Sequence, residues 1–293
     1  MVGFHLRKRG KSNVSTNEKC GTCNDKTDGC SPDKCGVTVL PQNDVNDIKH
    51  VVAVMSGKGG VGKSAVSALV AVGLARKGYR VGVLDADITG PSIPKMFGLN
   101  ERPVNAGQFL LPVKTSTGIA VMSLNLLLER EDQPVLWRGP IIAGAVKQFW
   151  TDVAWGRLDY LVVDMPPGTG DVPLTVMQSL PLDGVIIVTS PQDLANMVVK
   201  KAVNMVHQME VPIVGMVENM SYLRCPDCGR EIKIFGDSHA DQLTAGGLPL
   251  LEKLPLDPEL AQLCDAGQIE KYKAELFGNL DKLIGKLPAR KIS

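Results

Sequence analysis

The feature that most constrains the fold is a glycine-rich segment, residues 57–64, between a predicted strand and a predicted helix. It fits the pattern G-x-x-x-x-G-K-[ST], whose backbone N–H groups turn inward onto phosphate oxygens. The run 50–55 before it is short and β-branched, as in a strand buried on both faces, and an Ala/Val/Leu-rich helix spans about 63–77. This strand–loop–helix unit predicts a nucleoside triphosphate site at the helix N-terminus. Its residues are Gly57, Lys58, Gly59, Gly60, Val61, Gly62, Lys63 and Ser64.

The same alternation of strand and helix continues along the chain. Strand-like apolar runs recur at 80–85, 160–164, 184–189 and 212–218, with helical stretches between them. Strands buried on both faces and alternating with helices predict an α/β fold, a three-layer sandwich with a mostly parallel central sheet and helices on both faces. The piece 108–128 is different and predicts two extended segments around a turn at 115–118.

Polar groups at strand ends complete the predicted phosphate site. Lys63 is expected to reach the β- and γ-phosphates, and the Ser64 hydroxyl to bind Mg²⁺. Asp85 and Asp87 follow the second strand, and Asp164 ends another. Carboxylates at the C-terminal edge of a sheet suit Mg²⁺ or an attacking water. The alternative is that these aspartates only cap the helices that follow them.

Composition narrows the class of partner. The net charge of +1 and 4% aromatic residues favour neither nucleic acid nor a membrane surface. No apolar run approaches the ~20 residues of a membrane span, and no apolar segment follows the basic N-terminus as in a secretory signal. These features predict a cytoplasmic protein whose seven cysteines stay reduced and serve metal or redox chemistry.

Two groups of cysteines have metal-ligand spacing. Cys225 and Cys228 form C-x-x-C, and a symmetric dimer would bring two such pairs together around one 4Fe-4S cluster. A zinc knuckle or a redox dithiol is the alternative. The polar segment 1–47 predicts a flexible tail, followed by an ATPase domain over 48–293. The tail cysteines could hold an iron–sulfur cluster or Zn²⁺, or face a partner; they are Cys20, Cys23, Cys30 and Cys35.

Four motifs in order resemble the Mrp-type (ApbC-like) iron–sulfur cluster carriers. They are GKGGVGKS, DADITGPS, DMPPGTGD and VENMSY followed by C-P-x-C. These carriers belong to the deviant Walker A class, with the MinD/ParA partition ATPases and the nitrogenase iron protein. The resemblance covers roughly 49–287. The tail is not carried over, because its C-x2-C comes first, whereas the eukaryotic branch of the family has a long gap before C-x2-C.

The resemblance implies roles for single residues. Lys58 would reach the phosphates of the partner subunit's nucleotide, which implies a homodimer; a solvated loop lysine is the alternative. Asp85 and Asp87 would lie in switch I, with Asp87 orienting water. Asp164 would be the Walker B carboxylate, and Gly168 would open switch II. Asn219 would read the purine, unless it only forms a turn.

The implied function is an ATP-dependent carrier or scaffold that binds a 4Fe-4S cluster between two subunits and delivers it to apo-proteins. ATP, Mg²⁺ and the cluster are the implied cofactors, and hydrolysis is expected to be slow and coupled to the cluster. The rival is a partition or positioning ATPase, and a nitrogenase-like electron donor is a third hypothesis. Apolar residues at helical spacing over 269–287 predict a last helix docked on the domain, rather than a membrane-surface helix.

Overall fold

The computed structural model describes residues 39–87, 92–128, 139–238, 240, 244, 247–274 and 276–286. The tail cysteines Cys20, Cys23, Cys30 and Cys35 lie outside these residues. The last part of the predicted tail is included and contacts the domain. The Leu40 N–H donates to the Ser179 carbonyl, and the Trp150 indole donates to the Leu40 carbonyl.

The centre of the fold is an eight-stranded sheet of order β12-β9-β8-β1-β7-β2-β6-β5. All neighbours are parallel except β5 and β6. The strands are β1 (Asp47–Ser56), β2 (Val81–Asp85), β5 (Val113–Lys114), β6 (Ala120–Ser123), β7 (Arg157–Asp164), β8 (Gly184–Thr189), β9 (Ile213–Glu218) and β12 (Leu250–Lys253). Two hairpins lie outside it, β3 (Val104–Ala106) with β4 (Phe109–Leu111) and β10 (Leu223–Arg224) with β11 (Glu231–Ile232).

Helices cover both faces of the sheet. One face packs against α1 (Lys63–Arg76), α2 (Ile93–Met96), α6 (Pro258–Asp265) and the C-terminal residues. The other packs against α3 (Gly139–Thr151), α4 (Asp171–Ser179) and α5 (Asp193–Gln208). The sequence of strand β1 is apolar because both faces of the strand are buried. Val52 and Val54 lie in the core on the α1 side of the sheet, and Ala53 and Met55 lie in the core on the α3 side. The predicted three-layer α/β fold is confirmed.

The segment 108–128 contains the predicted hairpin and more. Strands β5 and β6 are antiparallel around the turn, where the Thr115 N–H donates to the Ile119 carbonyl. Strand β6 then pairs in parallel with β2, so the hairpin extends the main sheet. A 3-10 turn, Leu124–Leu127, follows it.

The prediction of one continuous C-terminal helix is wrong, although the docking on the domain is confirmed. The described part contains a 3-10 turn, Ile269–Lys271, and a short helix α7, Leu280–Ile284. Arg76 of α1 donates to the carbonyls of Glu270 and Tyr272. These carbonyls bond to a side chain, and Phe277 has a positive φ of 60°, which interrupts a helix. The apolar spacing therefore marks buried contacts in an irregular segment.

The described part of the chain contains no helix that is long and apolar enough to cross a membrane.

Replacing Ile269 tests the docking of the C-terminal segment. Ile269 is fully buried in the α1 core, so Ile269→Ala should lower the free energy of unfolding by about 2–5 kcal/mol. Leu283→Ala is the matched control, because Leu283 is 40% exposed and its loss should stay within about 0.5 kcal/mol. Urea unfolding measures both values. Equal values for the two variants would show that the segment does not dock as described.

Candidate functional site

The glycine-rich loop joins β1 to α1 at the C-terminal edge of the sheet. Gly62 precedes the helix with φ 77°, a left-handed conformation that favours glycine. Gly57 lies against α5, where an added Cβ would meet the Val198 carbonyl oxygen at 2.7 Å. The loop thus turns tightly and leaves its N–H groups at the start of α1, the geometry of a phosphate-binding loop.

Asp164 is the centre of the polar site. It is fully buried, and both of its carboxylate oxygens are engaged. The Ser64 hydroxyl donates to Oδ2 at 2.6 Å, and the Ser67 hydroxyl to Oδ1 at 2.6 Å. The Lys63 ammonium lies 2.8 Å from Oδ2. A buried charge needs this degree of pairing, so the P-loop helix and β7 are joined by one carboxylate.

The other two carboxylates lie beside Asp164. Asp85 pairs with Asp164 in the register of β2 and β7. It accepts hydrogen bonds from the Ser123 hydroxyl and the Asp87 N–H. Burial and the neighbouring Asp164 raise the pKa of Asp85 well above its usual value. Asp87 lies 3.3 Å from the Lys63 ammonium. The three predicted aspartates are thus brought together around one lysine.

Lys58 of the loop and Gly168 of the segment after β7 each make one contact near the end of β1. The Lys58 ammonium donates to the Gln192 side chain, just before α5, at 2.6 Å. The Gly168 N–H donates to the Ser56 carbonyl, which ties the segment after β7 to the end of β1. Gly168, the predicted start of switch II, therefore contacts the last residue of β1. Residues 88–91, which follow Asp87, lie outside the described part of the chain.

Asn219 follows β9 and is placed against the P-loop. It is 6% exposed, and its Nδ2 donates to the Val61 carbonyl at 2.9 Å. The contact is close, because a Cβ added at Gly62 would lie 2.2 Å from that nitrogen. Asn219 therefore supports the loop, while its reading of a purine stays a prediction.

Cys225 and Cys228 lie in the turn between β10 and β11. The Cys225 N–H donates to the Arg230 carbonyl, and the Gly229 N–H returns to the Cys225 carbonyl. Hydrogen bonds from the N–H groups of Cys228 and Asp227, and from the Cys228 thiol, lower the pKa of Cys225. Both cysteines are free, and Cys228 is exposed. Within the described residues, no three His, Cys, Asp or Glu side chains form a metal site.

Several residues outside the predicted set also shape the site. Ser67 is one turn beyond Ser64 on the buried face of α1, a signal that helical spacing provides. Ser123 ends β6 beside Asp85, but its place depends on a hairpin whose pairing with β2 has no sequence signal. Gln192 and Glu218 also lie at strand or helix ends near the site. Cys264 is buried in α6.

Comparison with known proteins identifies the family. Residues 47–287 match the family model of the ParA-related NUBPL iron-transfer P-loop NTPases. The chain belongs to this family. The match spans the P-loop, the three aspartates and the cysteine hairpin, and the resemblance to Mrp-type carriers is confirmed.

Named relatives agree with the family. An iron–sulfur cluster carrier protein of Clostridium perfringens is 45% identical over 279 residues, 90% of this chain and 94% of that protein. A carrier protein of Pyrococcus horikoshii with the same name is 47% identical over 257 residues, 82% of this chain and 87% of that protein.

Solved structures agree with the fold. A nucleotide-binding protein of Archaeoglobus fulgidus, solved in complex with ADP, is 42% identical with a TM-score of 0.71, covering 84% of this chain and 95% of that one. MinD in the MinC:MinD complex of Aquifex aeolicus has a TM-score of 0.59 at 21% identity, covering 83% of this chain and 100% of that one. The second likeness shows the fold alone.

Two glycines of the loop make a matched test of its packing. Gly57→Ala should lower the free energy of unfolding by more than about 1 kcal/mol, because the new methyl group would overlap the α5 backbone at Val198. Gly59→Ala meets nothing within 4 Å and should stay within about 1 kcal/mol of the wild type. Urea unfolding without nucleotide compares them, and equal stability would contradict the described contact between loop and helix.

Proposed function

We propose that this protein is an ATP-dependent iron–sulfur cluster carrier that works as a homodimer. The observation that carries the proposal is the position of the cysteine hairpin. The cysteine hairpin, residues 222–237, follows β9 closely in the chain. Asn219, the residue that contacts the P-loop, lies between the end of β9 and the hairpin. Nucleotide site and thiol pair therefore share one strand end.

ATP is the proposed nucleotide. The loop N–H groups and Lys63 would hold its phosphates, and Ser64, Asp85 and Asp164 offer the oxygen ligands that Mg²⁺ prefers. Mg²⁺, when bound, supplies positive charge that offsets the phosphates. Lys63 now neutralises Asp164 at 2.8 Å. If its ammonium turns to a phosphate, that carboxylate oxygen becomes available to a cation, so nucleotide and metal should bind together.

Hydrolysis is proposed to be slow and linked to the cluster. Asp87, 3.3 Å from the Lys63 ammonium, would orient the attacking water, while Lys63 and Lys58 would stabilise phosphate charge. In our proposal, Lys58 leaves Gln192 and reaches the nucleotide of the second subunit. This motion would make hydrolysis depend on dimer formation, because an isolated subunit lacks the second lysine.

Cys225 and Cys228 are proposed to bind the cargo. Each subunit offers two thiols, so two subunits together offer the four that a 4Fe-4S cluster takes. The lowered pKa of Cys225 favours the thiolate, the form that binds metal. Exposure of Cys228 would let the thiols of an apo-protein approach and accept the cluster. The relatives' names support a carrier of this kind.

The proposal also includes the tail cysteines and the location of the protein. Cys20, Cys23, Cys30 and Cys35 could hold a second cluster or Zn²⁺ ahead of the ATPase domain, or face a partner. A cytoplasmic location would keep all these thiols reduced. The rival, a partition or positioning ATPase, gains only the likeness in fold to MinD, and such a function has no use for the thiol pair.

Iron counting tests the cargo site. After anaerobic reconstitution, a form lacking residues 1–38 should bind about four iron atoms per dimer with the Mössbauer spectrum of a 4Fe-4S cluster. Cys225→Ala with Cys228→Ala should abolish this iron and leave ATP binding intact. Cys264→Ala is the matched control, since this buried thiol lies in α6 and should keep the iron. Unchanged iron in the double variant would refute the bridging site.

Removing the P-loop lysine tests the nucleotide site. Lys63→Ala should weaken ATP binding roughly tenfold or more and stop hydrolysis, because a charged hydrogen bond to phosphate is lost. Lys282→Ala removes an exposed lysine of α7 and should change neither property. Calorimetry measures binding, and phosphate release measures hydrolysis. Normal turnover in Lys63→Ala would overturn the assignment of the site.

A further inference from the structure

The cysteine hairpin, residues 222–237, has little apolar packing of its own. From 224 to 237 every residue is exposed except Cys225, which is half-buried. A cavity of about 340 Å³ separates part of the hairpin from the domain, with Lys233 and Asp237 on one side and Lys253 on the other. Burial of side chains therefore does not fix where the two thiols lie.

Both ends of the hairpin instead meet one buried carboxylate. Ser221 lies just before the hairpin and Ser238 just after it. The Ser221 hydroxyl is 2.7 Å from Oε2 of Glu218, and the Ser238 hydroxyl is 2.8 Å from Oε1. Glu218 is 1% exposed. This pair of hydrogen bonds to one side chain closes the base of the hairpin.

The next residue along the chain contacts the nucleotide loop. Asn219 donates to the Val61 carbonyl, as described above. Met220 then adopts a positive φ of 58°, which reverses the chain and brings the Ser221 hydroxyl within 2.9 Å of the Glu218 carbonyl. Two consecutive residues thus make the two contacts. Asn219 contacts the loop, and Glu218 contacts both ends of the hairpin.

The backbone between these contacts is firmly held. The Asn219 N–H donates to the Thr189 carbonyl at the end of β8, and the Leu254 N–H donates to the Glu218 carbonyl. Strand β9 lies between β8 and β12. The contact at Asn219 and the contact at Glu218 are therefore joined by a short, hydrogen-bonded segment.

We propose that Glu218 is a positioning residue that couples the nucleotide loop to the cysteine hairpin. The inference rests on the proposed carrier function and adds the path by which nucleotide controls the thiols. When the loop closes on phosphates, Asn219 follows Val61, and Glu218 moves both ends of the hairpin together. The two thiols then change their spacing or exposure as a unit.

Alkylation of the thiols tests the coupling without any cluster. The apo-protein is treated with iodoacetamide, with and without Mg²⁺ and a non-hydrolysable ATP analogue, and mass spectrometry follows the peptide of Cys225 and Cys228. In the wild type the nucleotide should change the alkylation rate about fivefold or more, the usual size of coupling between sites. Ser238→Ala and Glu218→Gln should bring the ratio close to one, with nucleotide affinity within about twofold of the wild type.

Three controls separate positioning from a general loss of structure. Ser238→Thr keeps the hydroxyl and should restore the wild-type ratio. Ser116→Ala removes a serine–glutamate hydrogen bond elsewhere, to Glu270, and should leave the ratio unchanged. Thermal unfolding confirms that each variant is folded; a variant that does not fold is replaced by Ser221→Ala, which removes the other contact to the same carboxylate.

The outcomes distinguish this inference from the proposed function. Two results would overturn the coupling through Glu218. One is that nucleotide does not change the alkylation rate of the wild type. The other is that Ser238→Ala and Glu218→Gln keep the ratio of rates measured for the wild type. Iron bound at Cys225 and Cys228 after reconstitution of unalkylated portions of the same preparations would still support the carrier. Absence of that iron would refute the carrier, whatever the alkylation ratios are.

Discussion

The buried carboxylate of Asp164 is the interaction on which the rest of the site depends. It ends β7, next to β1 on one side and β2 on the other. Its oxygens accept two hydroxyl groups of α1 and pair with the ammonium of Lys63. Removing Lys63 would leave the buried carboxylate of Asp164 without its cation, which costs several kcal/mol. The same contacts that hold α1 on the sheet therefore place the phosphate-binding residues.

The order of the strands explains why these groups meet. Parallel strands all end at one edge, so the residues after β1, β2, β7 and β9 converge although they are far apart in sequence. Three carboxylates lie there with Lys63 as the cation that contacts Asp87 and Asp164. Burial and the neighbouring Asp164 raise the pKa of Asp85. Under the proposed function, these carboxylates would bind a divalent cation together with the nucleotide.

The sequence predicts strands β1, β2, β7, β8 and β9, the loop and the aspartates, because each has a local signal. Periodicity identifies β1 and α1, and a carboxylate after an apolar run identifies Asp85 and Asp164. The apolar spacing of the C-terminal segment predicts a helix, but Arg76 bonds to two of its backbone carbonyls and Phe277 has a positive φ, so the helix is interrupted. Glu218 could not be found, because its partners are 3 and 20 residues away without any period.

A cargo site has two requirements that oppose each other, and the hairpin shows how they are reconciled. Under the proposed function the thiols must be exposed for a recipient to reach them, yet they must also be held in place. Apolar packing would hold the thiols in place only by burying them. Polar contacts confined to the base, at Ser221 and Ser238, fix the ends and leave the tip open. Because the base lies beside Asn219, the proposed coupling would let the position of the exposed tip follow the state of the P-loop.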